Sequence, residues 1–252
     1  MRFSLARLRA LAVLAVVVVP LAALAQPQPQ SGDGFMFGAP SGNLTFRAGY
    51  GRPSQGSDVF SFAQEHLTLN SSDLAGTALG MDLGYFLRPN VALQFGIGYA
   101  GHTAPSVYRN WIDTNDKEIE QSTTFRRVPL SAGVRYYLWP TGRTISDLAW
   151  VPSKYAPYVG AGVGLTWYQF RQAGDFVDYK TLDIFPSTLN SEKWTTSVYA
   201  AAGVERTLSA RFALTGEARY DYAKAPLGSD FTGFDRIDVS GLAVTIGLTV
   251  RF

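Results

Sequence analysis

The chain has 252 residues, with 22 Lys and Arg against 20 Asp and Glu, two His and no Cys. Without cysteine there are no disulfides, thiolate metal sites, cysteine nucleophiles or acylated cleavage-site cysteines. Charged residues make up only 17% of the chain, while 13 Tyr, 16 Phe, 5 Trp and 25 Gly favour strands, turns and an interface over a soluble charged surface.

Arg2, Arg7 and Arg9 precede an apolar run over 11–24, and Ala23-Leu24-Ala25 stands before Gln26. A basic start, a short apolar run and an A-x-A site read as a secretory signal peptide over 1–25, cleaved near Ala25; the run is short for a permanent span. Its loss takes away three arginines and no acid, so 19 basic against 20 acidic residues leave a net charge of −1 and no nucleic-acid footprint. Residues 26–41, rich in Pro, Gln and Gly without periodicity, are expected to be a flexible leader. No later stretch approaches the roughly 18 apolar residues of a spanning helix, so membrane residence requires a closed barrel.

From residue 42 to 252 the pattern is one of eight alternating segments, near 42–50, 74–87, 91–100, 123–138, 156–170, 194–206, 212–222 and 242–252. A period of two marks strands with one apolar and one polar or small face. In the third, Val91, Leu93, Phe95, Ile97 and Tyr99 oppose Ala92, Gln94, Gly96 and Gly98. Pro129 removes one ladder donor from the fourth, where an irregularity is expected. In the fifth, Gly160, Gly162 and Gly164 leave room on the polar face for bulky neighbours. The last alternates Leu242, Val244, Ile246, Leu248, Val250 and Phe252 with small, polar or charged residues. It should pair with the first and close the ring, an even strand count bringing both ends to one side.

A soluble sandwich or barrel would turn the apolar faces inward, and an outer-membrane barrel would turn them outward. Three features favour the second. Long connections (51–73, 101–122, 171–193 and 223–235) alternate with short turns (88–90 and 207–210), with 139–155 an exception. Threaded up and down, the apolar-face aromatics form two girdles. Tyr50, Tyr99, Trp167, Trp194, Tyr220 and Tyr222 fall at the loop end, and Tyr85, Tyr136, Phe212 and Phe252 at the turn end. The opposite face carries Arg47, Asp82, Arg127, Arg135, Glu205, Glu217, Arg219, Asp221 and Arg251, which nearly neutralise one another. In a membrane barrel these line the lumen as a salt-bridged network. Arg219 is expected to pair with Glu205 or Glu217.

The run Pro157-Tyr158-Val159-Gly160-Ala161-Gly162-Val163-Gly164, the segment Gly216-Glu217-Ala218-Arg219-Tyr220 and the final strand over 241–252 resemble the small eight-stranded outer-membrane proteins, the OmpA-like and outer membrane β-barrel domain group. The resemblance covers about 42–252. It implies an all-β, eight-stranded antiparallel up-and-down transmembrane β-barrel in the bacterial outer membrane, among its lipids and lipopolysaccharide. It also implies that the terminal Phe252 is read by the barrel-assembly machinery. Ending at the eighth strand, the sequence is expected to depart from full-length OmpA relatives in lacking the peptidoglycan-binding domain.

Some barrels of this size act on lipid A through His, Ser and an acid. His66 and His102 lie in the first two long connections without a His-x-Ser arrangement, and both read as solvated loop residues. Asp113, Asp116, Glu118 and Glu120 lack the spacing of a calcium loop and read as a solvated acidic stretch. Eight strands enclose a space that side chains fill, and Tyr137, Tyr158, Tyr199, Arg135 and Arg219 are large enough to do so. The expectation is a non-enzymatic barrel, without cofactor or metal and monomeric, that serves envelope structure or surface contact through four long extracellular loops. A narrow gated channel is the alternative, and a lipid A-modifying enzyme the third reading.

Overall fold

A computed structural model of the protein describes residues 34–113, 115–146, 149–178 and 181–252. The expected signal peptide, and the leader up to residue 33, lie outside the described residues. Of the leader's described end, Met36 forms an antiparallel bridge with Trp150.

Eight strands close into an antiparallel ring: β1 (Gly42–Pro53), β2 (Gly76–Arg88), β3 (Val91–Ile112), β4 (Glu118–Tyr137), β7 (Tyr155–Val177), β8 (Ile184–Thr207), β9 (Phe212–Ala225) and β11 (Gly241–Arg251). Each pairs with its neighbour in sequence, and β11 returns to β1 with Leu44 opposite Val250 and Tyr50 opposite Val244. At the seam, Gly42 and Phe252 exchange two backbone hydrogen bonds of 3.0 Å, so both edges are satisfied. The short pieces β5 (Gly142–Ser146) and β6 (Ala149–Pro152) pair within the connection from β4 to β7. That unexpectedly long connection is thus a folded hairpin at the turn end of the barrel, with Trp150 buried and 5.8 Å from the Arg251 guanidinium. β10 (Ile237–Asp238) adds to β9 at the loop end.

The alternating residues sort by face as a membrane barrel requires. Leu79, Leu83, Phe95, Ile97, Val163, Leu165, Val244 and Ile246 are 43–65% exposed, whereas Thr45, Thr249, Glu205 and Arg251 are no more than 1% exposed. Apolar side chains therefore face out and polar ones in, the reverse of a soluble protein. Pro129 lies opposite Thr166 of β7, but the β3–β4 ladder has no paired positions between Ile97–Leu130 and Ala100–Arg127. The break expected at this proline is present.

Two connections differ from expectation. Most of 101–122 and 171–193 is strand, because β3, β4, β7 and β8 run 20 to 24 residues and rise as hairpins past the outer aromatics. β7 and β8 stay paired from Trp167–Trp194 up to Val177–Ile184, a rise of about 33 Å along the strand. Over this stretch an apolar core forms inside the strands, with Ser106, Gln121, Thr123 and Gln172 buried beside it. Ala104, Tyr108, Ile119, Phe125, Tyr168, Phe170 and Val177 are buried, while Arg109, Glu118, Glu120 and Arg171 face water. Polar and apolar residues now occur on both faces, with Ile112 and Phe185 exposed, which removes the contrast by which the lower strands are recognisable.

The first long connection also holds a helix, α1 (Asp58–His66), absent from the sequence expectation. Val59, Phe60 and Ala63, at helical spacing, are buried with Leu67. Phe60 packs edge to face on Phe125 (5.3 Å) and Phe170 (5.4 Å), and Phe231, Ile237 and Val239 of the last long connection join this core. α1 thereby caps the loop end of the barrel.

Candidate functional site: the charged lumen

The nine charged residues of the polar faces all point into the ring. Eight are buried and Asp221 is half-buried. Six of them, one from each of six strands, form a continuous ion chain across the lumen. Asp82 of β2 accepts from Arg47 Nε at 2.6 Å, and Arg47 Nη1 reaches Glu217 of β9 at 2.7 Å. Glu217 also takes Arg135 Nη2 of β4 at 3.1 Å. Arg135 Nη1 lies 3.6 Å from Glu205 of β8, which accepts from Arg251 Nη2 of β11 at 3.0 Å.

Tyrosines complete the acceptors. Tyr137 Oη donates to Glu205 at 2.7 Å and Tyr158 Oη to Glu217 at 2.8 Å, while the Arg135 guanidinium lies 4.1 Å from the Tyr158 ring. Glu217 thus meets two arginines and a phenol, which compensates the cost of taking a carboxylate out of water. Thr45, Thr249 and Thr215 add a hydroxyl relay of 2.8 and 2.6 Å beside them. The glycines opposite make the room: a Cβ on Gly162 would stand 2.6 Å from Tyr199 Cε1.

Arg219 departs from the expected pairing with Glu205 or Glu217. It binds Asp221 two residues along its own strand, with Nη2 at 2.8 Å and Nε at 3.1 Å from the carboxylate, and stacks 3.9 Å from the Tyr199 ring. Glu217 and Glu205 sit lower in the ring and are already shared by Arg47, Arg135 and Arg251. Arg127 joins no ion pair among the described residues, and its Nη1 donates to the Val239 carbonyl at 3.0 Å. Among the described residues, small cavities border the lumenal charges. One of about 40 Å³ lies between Arg47, Arg127, Arg219 and Thr245, and one of about 10 Å³ lies between Asp82, Arg135, Tyr199 and Glu217.

The ten aromatics of the apolar faces lie outside the ring. Tyr50, Tyr85, Tyr136, Trp194, Tyr220, Tyr222, Phe212 and Phe252 are exposed, and Tyr99 and Trp167 half-buried. Trp167 stands opposite Trp194, and Tyr136 opposite Val159, eight residues below Trp167 on β7. That separation is about 26 Å along the strand and about 20 Å along the axis of a barrel tilted by about 40°, near the height of an outer-membrane apolar band.

The remaining candidates lie outside the lumen network. His66 ends α1, with Nδ1 3.0 Å from the Phe62 carbonyl and its ring stacked on Phe62. His102 is exposed on β3 above the outer aromatics. Asp113 holds the β3–β4 tip by accepting backbone N–H groups of Lys117 (2.8 Å) and Asn115 (2.7 Å). The Lys117 N–H foremost holds its carboxyl below the usual carboxylate range. Glu118 and Glu120 continue outward along β4, away from that turn.

No curated protein sequence matches the chain. Among solved structures, Neisserial surface protein A is 15% identical, with 88% of this chain and 100% of that one covered and a TM-score of 0.46. OprG of Pseudomonas aeruginosa is 15% identical over 86% and 99%, with a TM-score of 0.48. Ail, the attachment invasion locus protein of Yersinia pestis, is 12% identical over 84% and 99%, with a TM-score of 0.43. The family model of the outer membrane protein beta-barrel domain matches residues 11–252, and the chain belongs to that family, a transmembrane β-barrel of the Gram-negative outer membrane.

Proposed function

We propose that the protein is a non-enzymatic envelope barrel with a lumen closed by its own ion chain, and that it makes surface contacts through the elements above the outer girdle. The observation that carries this reading is the run Asp82–Arg47–Glu217–Arg135–Glu205–Arg251, which links six strands through contacts of 2.6 to 3.6 Å. A solute crossing the barrel would have to part charges that hold one another in place. The β3–β4 and β7–β8 hairpins and α1 supply a rigid outer surface, in keeping with contact rather than passage. Planar-bilayer recording of the refolded protein tests the closed lumen, with no steady conductance expected. Regular single-channel steps that vanish when lumenal glycines are replaced by bulky residues would favour the narrow channel instead.

The outward apolar band and its girdles suit outer-membrane lipids and lipopolysaccharide, with the barrel acting as a monomer. Phe252, whose carbonyl accepts the N–H groups of Ser41 (2.7 Å) and Gly42 (3.0 Å), is the natural signal for the barrel-assembly machinery. Deleting it should abolish insertion in cells, and normal insertion of that deletion would remove the role. Export by a signal peptide cleaved after Ala25 predicts a mature N-terminus at Gln26, readable by N-terminal sequencing.

A further inference from the structure

At the outer end of the lumen, Arg127 is 6% exposed and has no carboxylate within ion-pair distance among the described residues. Its guanidinium lies over Gly241, where a Cβ would collide with both terminal nitrogens, so the glycine is what admits it. It borders the cavity of about 40 Å³ together with Arg219 and Thr245. Thr245 is 4% exposed and its hydroxyl has no hydrogen-bond partner among the described residues.

Arg219 spends Nε and Nη2 on Asp221, which leaves Nη1 unused. Asp221 is the one carboxylate on the cavity wall, and both of its oxygens are occupied by Arg219. Asp238, next to the Val239 carbonyl that Arg127 holds, attracts Arg127 from beyond ion-pair distance and accepts the backbone N–H groups of Gly56 (3.0 Å) and Ser240 (2.9 Å). Arg47, on the opposite wall, is matched by Asp82 and Glu217. The cavity wall therefore holds one guanidinium, that of Arg127, without a carboxylate at ion-pair distance among the described residues, beside a buried hydroxyl able to donate. A buried cation of that kind is costly without a counter-charge.

We propose that this cavity binds one monovalent anion of chloride size, held by the Arg127 guanidinium, Arg219 Nη1 and the Thr245 hydroxyl. Its volume exceeds that needed for one water but is far below that of a sugar acid, so chloride enters and gluconate does not. The anion acts as a fixed counter-ion at the outer end of the charged lumen.

The test is thermal unfolding of the refolded barrel, with sodium gluconate exchanged for sodium chloride at constant ionic strength. A ligand bound only by the folded state raises the midpoint, here by about 5 to 10 °C when chloride stands a hundredfold above its dissociation constant. Arg127→Gln should lose the rise, and Thr245→Val, which keeps the cation, should reduce it. A flat wild-type response, or an equal rise in Arg127→Gln, overturns the site. If Arg127→Gln fails to fold, crystals of the wild-type protein grown in bromide decide: an anomalous-scattering peak beside Arg127 supports the site, and its absence overturns it. A conducting barrel would remove the closed-lumen reading and leave this result intact, because the readout is equilibrium binding.

Discussion

Below the outer aromatic girdle, inward positions carry Arg47, Asp82, Arg135 and Glu217, and outward positions carry Leu79, Phe95, Val163 and Ile246. Above it, the same strands turn Phe125, Tyr168 and Phe170 inward, onto α1, and leave Arg109, Glu118 and Arg171 outside. One continuous ladder thus supports two opposite solvation schemes. The backbone hydrogen bonds are indifferent to which face is greasy, and each level is set by what lies outside it, lipid below and water above. The lower region is held by ion pairs, the upper by an apolar core with edge-to-face aromatics. Substitutions should separate the two.

The largest effect is expected at Glu217. Glu217→Leu leaves Arg47 short of one partner and Arg135 reliant on a 3.6 Å contact with Glu205. Unbalancing a buried network typically costs about 3–5 kcal/mol. The loss should appear in urea unfolding of the folded barrel, with the protease resistance of the upper region unchanged until the whole barrel melts. A loss below about 1 kcal/mol would mean that water, not ion pairing, solvates the lumen.

Phe60→Ala probes the upper region alone. The side chain is fully buried against Phe125 and Phe170, and its truncation should cost about 3 kcal/mol locally. Limited proteolysis should cut within 51–73 far faster, while the heat-modifiable gel shift of the barrel stays in place. Simultaneous loss of the gel shift would show the two regions to be one cooperative unit.

The outer faces offer a milder contrast. Ile246, 65% exposed midway along β11, faces the apolar band. Ile246→Arg should cost about 2–4 kcal/mol. Thr188→Arg, exposed on β8 above Trp194, should stay within about 0.5 kcal/mol. Equal effects at both sites would place the membrane boundary higher than the Trp167–Trp194 pair.

How much of this was legible beforehand follows the same division. The spanning strands and the β1–β11 closure were readable because lipid on one side and a charged lumen on the other give unlike faces with period two. The upper hairpins do not stand out as strands in the sequence because Ala104, Ser106 and Tyr108 inside differ little from Thr103, Pro105 and Val107 outside. Val59, Phe60, Ala63 and Leu67 did carry a helical signal, but α1 is only nine residues long and gained its structure from packing on Phe125 and Phe170. Alternation assigned Arg219 to the lumen without its partner, since the partner depends on the stagger between strands.

That stagger gives the last and smallest effect. Asp221 lies on the same face of β9 as Arg219 and captures it with two bonds from Nε and one from Nη2, while Glu217 points down to Arg47 and Arg135. A double-mutant cycle between Arg219→Met and Glu217→Gln should give a coupling within about 0.5 kcal/mol of zero, as for residues without shared partners. The cycle between Arg47→Met and Glu217→Gln should give a coupling above about 1 kcal/mol, since those two share a buried contact of 2.7 Å. Comparable couplings in the two cycles would mean that the lumenal charges act as one diffuse cloud, and the ordered chain from Asp82 to Arg251 would lose its meaning.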